Sequence, residues 1–280
     1  MSFENLLSIN GDSTVKISFV GGGAMAEAII AGVLRKKLAP AKDICVGEPV
    51  EERRATLSHK YKIHTTVSNI DSINDTDLIV LSIKPQQIDR VLKELLGRVT
   101  RKQTVVSILA GTPLKKIKEG LKFSHVVRVM PNTPAQIGEG MSVWTADTSV
   151  DESEKENVRS VLQTLGHEIY MKDESYLDIA TALSGSGPAY VFLFIESLAD
   201  AGIQLGINEE VSYKLALQTV LGSAKLVQET GKSPMELRHM VTSPHGTTEA
   251  AIKDLNLNRF QEIIFSAVHA AYKKSRELGV

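Results

Sequence analysis

The apolar residues in the first half of the chain form short continuous runs separated by stripes at helical spacing. Ile17, Phe19 and Val20 make the first run, and the longer runs at 78–83 and 104–109 also contain β-branched residues. Such runs are typical of strands that are buried on both faces of a parallel sheet. Further strands are predicted at 43–47, 63–66, 126–129, 141–145 and 168–171.

Helical stripes fall between these runs, beginning with apolar residues on one helix face from Met25 to Leu34. Further helices are predicted at 51–60, 88–96, 114–120 and 154–165. Strands that alternate with helices over this length predict an α/β fold with a doubly wound, mostly parallel sheet. We therefore predict an N-terminal Rossmann domain at 1–171, in which the polar residues 1–14 are a loose extension.

From Lys172 onward the pattern contains helical stripes and no convincing strand. Asn208 precedes two glutamates as a helix N-cap, and Ser233 begins a capping box with Glu236. We therefore predict an all-α domain at 172–280, which supplies the substrate pocket because parallel strands bind ligands at their carboxyl ends. Its helices are predicted at about 174–184, 189–205, 209–229, 234–241, 248–255 and 258–278.

Composition narrows the class of protein. A length of 280 residues favours two domains, and a net charge of −1 gives no basic surface for nucleic acid or an anionic membrane. Cys45 is the single cysteine, which fits a reducing, cytoplasmic location. The first residues lack the features of a signal peptide, and the apolar run at 189–195 is too short to span a bilayer. We expect a soluble protein.

A glycine turn between the first strand and the first helix is the most informative motif. Gly21 suits the tight turn, Gly23 lets a pyrophosphate approach the backbone, and Ala26 permits close packing of the helix on the strand. The helix N-terminus at Ala24 and Met25 offers unpaired N–H groups to the phosphates. This strand–turn–helix context predicts a dinucleotide site.

Glu48 stands just past the second strand, where an acidic group hydrogen-bonds the adenine ribose. A carboxylate there repels a 2′-phosphate and favours NADH over NADPH. Arg53 and Arg54 follow closely and could instead hold that phosphate, so the cofactor choice between NADH and NADPH stays open. In the plainest alternative, Glu48 is an ordinary turn residue.

Loops at the ends of the later strands are further cofactor candidates. Their small or polar residues suit contact with the ribose and the nicotinamide, although plain strand–helix connections would look the same. Asn132 lies in a loop that is stiffened by two prolines and is predicted to form a wall beside the nicotinamide. The other candidates are Ser82, Ile83, Lys84, Pro85, Ala110 and Gly111.

Two loops in the helical half could hold a carboxylate substrate. Ser184 and Ser186 belong to a glycine-rich connection with many backbone N–H groups, or to a simple interhelical elbow. Ser243, Gly246, Thr247 and Thr248 lead directly into a helix, whose N-terminus can bind a carboxylate. In the alternative, these hydroxyl groups are only helix caps.

Other chemistries have little support. The seven histidines show no HxH or HExxH spacing, so no metal site is predicted. The phosphate-binding loop of nucleotide kinases is also missing from the sequence.

Taken together, these motifs resemble the Δ1-pyrroline-5-carboxylate reductase family over about 16–278. The segments that carry the resemblance occur in the family's order and spacing, and SGSGPAY and the SPxGTT loop are specific to it. They are FVGGGAMA at 19–26, SIKP at 82–85, ILAGT at 108–112, RVMPNTPA at 128–135, LSGSGPAYVF at 183–192 and SPHGTT at 243–248.

The resemblance implies a helical domain that interlocks with a second subunit in a homodimer, and dimers that assemble further into a ring. It implies hydride transfer from NAD(P)H to C5 of 1-pyrroline-5-carboxylate, which gives L-proline in the last step of proline biosynthesis. Ser243, Thr247 and Thr248 would lie near the substrate carboxylate, with Thr248 also near the ring nitrogen as the catalytic residue. His245 departs from the family's usual glycine, and Glu48 from its usual small or hydroxylated residue.

Two other functions stay open. One is a nicotinamide-dependent dehydrogenase of small hydroxy acids, which needs a general acid or base that the helical half does not clearly offer. The other is a non-catalytic nucleotide sensor, which leaves the 243–248 loop unexplained.

Overall fold

The computed structural model describes residues 15–279. The predicted loose extension at 1–14 therefore lies outside the described residues. The described part contains eight strands, with the bounds β1 Ile17–Val20, β2 Ile44–Gly47, β3 His64–Thr66, β4 Leu78–Leu81, β5 Thr104–Ser107, β6 Val126–Met130, β7 Gly140–Ala146 and β8 Gly166–Tyr170.

The α-helices occur where the apolar stripes predict them, with one additional short helix, α3. Their bounds are α1 Ala24–Arg35, α2 Glu51–Tyr61, α3 Asn69–Ser72, α4 Ile88–Leu95, α5 Leu114–Leu121, α6 Glu152–Leu162, α7 Tyr176–Ala180, α8 Gly187–Gln204, α9 Glu209–Thr230, α10 Pro234–Met240, α11 Thr247–Leu257 and α12 Phe260–Leu278. Short 3₁₀ turns lie at Ala41–Asp43, Pro85–Gln87 and Thr133–Ile137.

All eight strands form one sheet in the order β3-β2-β1-β4-β5-β6-β7-β8. Every neighbouring pair is parallel except β6 and β7, which are antiparallel. The predicted doubly wound, mostly parallel sheet is confirmed. Strand β1 lies between β2 and β4, so the strand order reverses beside it, and this is the position at which such sheets bind their ligands.

The strands are covered on both faces, as their continuous apolar runs predict. One core layer packs α1, α2 and α6 against the sheet, with Ile30 and Trp144 fully buried in it. The other layer packs α4 and α5, with Leu95 and Ile117 fully buried. In β6, Val127 belongs to the first layer and its neighbour Val126 to the second, as the two-residue period of a strand requires.

The described chain divides into two compact units. The first contains the residues up to Gly185 and also those from Lys274 onward. The predicted change of domain after residue 171 therefore differs from the division of the structure. The reason is packing, because α7 lies against β6 and β7 and its Leu177 is fully buried. The helix predicted at 174–184 is α7 followed by a π turn at Thr181–Gly185.

The second unit, Ser186–Lys273, is entirely helical. Helices α8 and α9 pack closely because Gly202 has no side chain; a Cβ there would lie 2.1 Å from the Ser212 hydroxyl oxygen. That hydroxyl donates a hydrogen bond to the carbonyl oxygen of Ala199 at 2.6 Å. Much of the remaining apolar surface is exposed, including Phe192 and Phe265.

One described segment, Tyr176–Gln204, is long and apolar enough to cross a membrane by length and composition, and 17% of its most apolar window is buried. In the structure this segment comprises α7, the π turn and α8. An exposed apolar helix face of this kind also suits a subunit interface.

Candidate cofactor site and substrate loop

A cavity of about 490 Å³ lies at the carboxyl ends of β1, β2 and β4, where the strand order reverses. The predicted cofactor residues that line it are Gly21, Gly23, Glu48, Ser82, Ile83 and Lys84. Lining residues that the sequence analysis missed include Gly22, Val67, Asn69, Gln87, Arg90 and Glu94. The cavity lies within the first unit, so the glycine turn, the end of β2 and the β4–α4 connection are brought together as predicted.

The three glycines of the turn have different reasons for lacking a side chain. Gly21 has a φ of +99°, and a Cβ there would lie 2.9 Å from the carbonyl oxygen of Ser82. At Gly22 a Cβ would lie 2.8 Å from Cδ1 of Leu57. At Gly23 the nearest atom to an added Cβ is 3.9 Å away. Packing within the protein therefore explains the first two glycines but leaves open space above the third.

Helix α1 begins at this open space. Gly23 is its N-cap residue and makes no side-chain capping bond, because glycine has no side chain. Ala24 is exposed, Met25 is half-buried and Ala26 is fully buried against the core. The N–H groups of the first helical turn are thus available to an anion, while Ala26 provides the close packing that the motif predicts.

Glu48 is held in place at the wall of the cavity. Its Oε2 accepts a hydrogen bond from the N–H of Gly22 at 2.8 Å, and its Oε1 accepts one from the N–H of Val50 at 2.9 Å. The bond to Val50 is local, as in an ordinary turn, but the bond to Gly22 joins the end of β2 to the glycine turn. The carboxylate is therefore aimed at the place where the fold positions an adenine ribose.

Both nearby arginines are bound to other groups. The Arg53 guanidinium donates to the carbonyl oxygen of Gly22 at 2.6 Å and pairs with Glu27 at 2.6 Å. Arg54 donates to the carbonyl oxygens of Glu48 and the following proline, both at 2.8 Å. Hydrogen bonding from Lys60, together with Arg53, lowers the pKa of Glu27 to about 2. Arg53 thus holds the glycine turn in place through the Gly22 carbonyl and Glu27.

The opposite wall comes from β4 and α4. The Ser82 hydroxyl donates to the carbonyl oxygen of Gly21 at 2.7 Å, which ties the end of β4 to the glycine turn. Lys84 and Arg90 line the same wall, and neither forms an ion pair with another residue in the part of the chain that the structure describes. Asn69 and Glu94 also line the cavity, and the Asn69 side-chain N–H donates a hydrogen bond to Glu94 at 3.0 Å.

Other predicted cofactor residues lie outside this cavity. Pro85 begins the 3₁₀ turn that follows β4. Ala110 and Gly111 follow β5, and a Cβ on Gly111 would lie 2.6 Å from Cβ of Leu278. Gly111 therefore has a packing reason to be glycine. Contact between this turn and a cofactor stays a prediction.

Asn132 bridges two segments of the first unit. Its side-chain oxygen accepts a bond from the N–H of Met141 at 2.9 Å, and its Nδ2 donates to the carbonyl and hydroxyl oxygens of Ser184, each at 3.3 Å. The predicted nicotinamide wall is thus fixed to the π turn that carries Ser184. Ser186 is the N-cap residue of α8 and makes no side-chain capping bond.

The second predicted loop, 243–248, lies in the second unit and turns tightly before α11. The N–H of Gly246 donates to the carbonyl oxygen of Ser243 at 3.0 Å, and a Cβ on Gly246 would lie 2.4 Å from the Ser243 hydroxyl oxygen. Gly246 is the N-cap residue and makes no side-chain capping bond. The hydroxyl groups of Ser243, Thr247 and Thr248 therefore do not serve as that cap.

His245 has a φ of +59°, in the left-handed region that favours glycine. Its N–H donates to Oε2 of Glu249 at 2.7 Å, which holds the loop against the first turn of α11. This backbone conformation gives a physical reason for the glycine that the family resemblance implies at this position. In residues 15–279 no group of three or more histidine, cysteine, aspartate or glutamate side chains is placed to hold a metal ion.

Comparison with known proteins identifies the family. A family model described as pyrroline-5-carboxylate reductase dimerisation matches residues 174–278, and one described as NADP oxidoreductase, coenzyme F420-dependent, matches residues 16–111. A pyrroline-5-carboxylate reductase from Synechocystis is 40% identical over 266 residues, covering 95% of this chain and 99% of its own length. The chain belongs to the pyrroline-5-carboxylate reductase family.

Solved structures agree with this assignment. A pyrroline-5-carboxylate reductase from Coxiella burnetii has a TM-score of 0.89 at 36% identity and covers 96% of this chain and 100% of its own. A pyrroline carboxylate reductase from Plasmodium falciparum, solved with NADP bound, has a TM-score of 0.87 at 31% identity over 96% of this chain and 100% of its own. The family resemblance and the fold class are confirmed, and the NADP oxidoreductase match together with the NADP-bound relative supports a nicotinamide cofactor.

The missed lining residues had weak signals in the sequence. Asn69 follows the third strand after Ser68, whose hydroxyl oxygen accepts from the N–H of Asp71 and caps the short helix α3. Gln87 and Arg90 occupy polar positions beside the apolar stripe of α4. In the sequence, such residues look like ordinary solvent-exposed residues at the start of a helix. Only the folded sheet places them around the same cavity as the glycine turn.

The open space at Gly23 yields a test of the cofactor site. Gly23→Ala should fold with unchanged thermal stability but bind NADH at least about tenfold more weakly, because the methyl group enters the space needed by the pyrophosphate. Gly22→Ala is the matched control and should lose about 1–3 kcal/mol of stability through its contact with Leu57. Thermal melting and NADH titration measure both. Unchanged NADH affinity in Gly23→Ala would place the cofactor elsewhere.

Proposed function

We propose that this protein reduces 1-pyrroline-5-carboxylate to L-proline with a nicotinamide dinucleotide as hydride donor, the last step of proline biosynthesis. The observation that carries the proposal is the 40% identity with a pyrroline-5-carboxylate reductase over 95% of the chain. The glycine-turn cavity and the 243–248 loop both fit this activity, one as a cofactor site and the other as a substrate site.

The chemistry asks little of the protein beyond positioning. When bound, the reduced nicotinamide supplies a hydride to C5 of the cyclic imine, while the imine nitrogen carries the proton that becomes part of L-proline. A protonated imine is already electrophilic, so the proposed mechanism uses neither a covalent nucleophile nor a metal. Orientation and electrostatic stabilisation are then the main contributions of the chain.

The substrate carboxylate is proposed to bind at the start of α11. Gly246 leaves the N-terminal N–H groups of this helix without a side-chain cap, and the hydroxyls of Ser243 and Thr247 lie in the same loop. A helix N-terminus binds a carboxylate without needing a formal positive charge. Ser184 and Ser186 are the second proposed contact, on the glycine-rich segment before α8.

Thr248 is the proposed catalytic residue. It is half-buried in the first turn of α11, directly after the loop that is proposed to hold the carboxylate. A hydroxyl group both donates and accepts hydrogen bonds, so it can orient the ring nitrogen and its proton. Loop 243–248 would thus hold the substrate at both its carboxylate and its nitrogen.

NADH is the proposed preferred cofactor. The Glu48 carboxylate is held at the end of β2 by two backbone N–H groups, where it would accept the ribose hydroxyls and repel a 2′-phosphate. Arg53 and Arg54, the alternative phosphate ligands, are bound to backbone carbonyls and Glu27. Lys84 and Arg90 belong to the β4–α4 wall.

The family's dimerisation domain supports a homo-oligomer, and we further propose a ring built from dimers in the cytoplasm. The exposed apolar residues of α8 and α12 are proposed to be covered by a second copy of the chain. The same burial accounts for the apolar segment Tyr176–Gln204 without a membrane.

The other two functions have less support. A hydroxy-acid dehydrogenase needs a lysine or histidine as general acid or base. Lys214, a lysine of the helical half, is exposed and paired with Glu210 at 2.6 Å. A nucleotide sensor would need only the first unit, yet the family match continues through the second.

The deciding experiment is oxidation of NADH and NADPH by the purified protein with 1-pyrroline-5-carboxylate, with L-proline identified as the product. We expect turnover with both and a higher kcat/KM with NADH. Cofactor binding without turnover would contradict the proposed reaction and favour the sensor.

Glu48→Ser should shift the ratio of kcat/KM for NADH over NADPH toward NADPH by at least about tenfold, because a like-charge repulsion is removed. Glu52→Ser is the matched control, since it removes an exposed carboxylate in the first turn of α2 that does not line the cavity. An unchanged ratio in Glu48→Ser would move the cofactor preference to other residues.

Thr248→Ala should lower kcat about a hundredfold while leaving NADH affinity unchanged, since a positioned proton donor typically contributes this much. Thr248→Ser keeps the hydroxyl and should retain most activity. Thr230→Ala, which removes an exposed hydroxyl bonded to the carbonyl oxygen of Leu226, is the control. Normal turnover in Thr248→Ala would exclude Thr248 from the mechanism.

A further inference from the structure

Arg128 is a buried charge in an apolar strand. It is 5% exposed, while its strand neighbours Val127 and Val129 are at most 1% exposed. The valines face the core layer that contains α1, so Arg128 faces the opposite side of the sheet. A buried guanidinium requires charged partners, because an isolated charge is costly to remove from water.

Two carboxylates from the segment around α7 meet this requirement. Nη1 of Arg128 donates to Oε1 of Glu174 at 2.9 Å, and Nη2 donates to Oδ1 of Asp178 at 3.0 Å. The same Glu174 oxygen accepts the N–H of Leu114 at 2.8 Å, and the same Asp178 oxygen accepts the hydroxyl of Ser275 at 2.9 Å. These residues, the Arg128 cluster, join β6, the start of α5, α7 and the end of α12.

The turn between β5 and α5 is fixed by this cluster and by a second contact. Its last residue, Pro113, precedes the Leu114 N–H that Glu174 accepts. Its centre, Gly111, lies so close to the end of α12 that a Cβ would be 2.6 Å from Leu278 and 3.2 Å from the carbonyl oxygen of Ser275. Two contacts therefore hold the turn. Glu174 binds its α5 side, and the end of α12, whose Ser275 binds Asp178, packs against Gly111.

This turn stands at the carboxyl end of β5, next to the end of β4 that lines the cavity. The cavity provides the glycine turn and Glu48 for the adenosine and pyrophosphate. A dinucleotide extends across the strand ends at the switch point, so its nicotinamide half reaches past β4 toward β5 and β6.

We propose that Arg128 is a positioning residue for the nicotinamide half of the cofactor, acting through Glu174, Asp178 and Ser275 on the 110–113 turn. The proposal rests on the function proposed above. It assigns to Arg128 no contact with substrate or cofactor. It predicts that loss of the cluster weakens binding of the nicotinamide ring and spares binding of the ADP-ribose part of the cofactor.

The test compares affinities for NADH and for ADP-ribose, which lacks the nicotinamide ring. In Arg128→Met, NADH affinity should fall at least about tenfold, since a buried charged network is lost, while ADP-ribose affinity should stay within about twofold. Ser275→Ala leaves every charge paired and should lower NADH affinity about threefold with ADP-ribose unchanged. Arg128→Lys, which keeps one of the two ion pairs, should fall between wild type and Arg128→Met.

Arg159→Met is the matched control. Arg159 pairs with Glu156 and Glu168 and stacks over Trp144, away from the 110–113 turn, so its loss should leave the ratio of the two affinities unchanged. A parallel loss of both affinities in Arg128→Met, or an unchanged ratio in Ser275→Ala, would overturn the proposal. Failure of the wild-type protein to turn over 1-pyrroline-5-carboxylate would bear on the proposed function alone, because both affinities are measured without substrate.

Discussion

The close approach of the glycine turn to the end of β4 is the contact on which the candidate cofactor site depends. Gly21 has a positive φ and leaves no room for a Cβ against the carbonyl of Ser82, whose hydroxyl bonds back to the Gly21 carbonyl. This contact joins β1 to β4 at the point where the strand order reverses. With the strand ends joined, the open space at Gly23, the start of α1 and the Glu48 carboxylate all face one cavity. The chemistry of the cofactor site therefore follows from a backbone constraint.

Two arginines with carboxylate partners fix segments of the chain around this site. Arg53 holds the glycine turn through Gly22 and Glu27. Arg128 joins β6 to the segment around α7, and Asp178 of that segment binds the end of α12. A planar guanidinium can satisfy several acceptors at once: Arg53 binds a backbone carbonyl and a carboxylate, and Arg128 binds two carboxylates. The second unit follows a different rule: it buries little by itself and leaves apolar helix faces exposed, as the dimerisation match leads one to expect.

The local pattern of the sequence was sufficient for the strands, for every helix except the short α3, and for the glycine turn. Continuous apolar runs identified the buried strands, and helical stripes identified the helices, because burial on two faces or on one leaves different periods in the sequence. It was also sufficient for the family, since SGSGPAY and the SPxGTT loop are contiguous motifs. Long-range pairings could not be read in this way. The bond from Glu48 to Gly22 and the bond from Asn132 to Ser184 each join segments that only the folded sheet brings together.

The sequence by itself therefore determined the fold class and the family, and it predicted the segments of the candidate site. The tertiary structure decided which role each residue can take. It bound Arg53 and Arg54 to backbone carbonyls, gave Gly111 a packing reason, and placed His245 in a left-handed conformation. It also moved the boundary between the compact units to Gly185, because Leu177 and the Arg128 cluster hold α7 on the sheet. The physical reason is the same throughout: composition and period report whether a residue is buried, but its partners depend on the three-dimensional arrangement of distant segments.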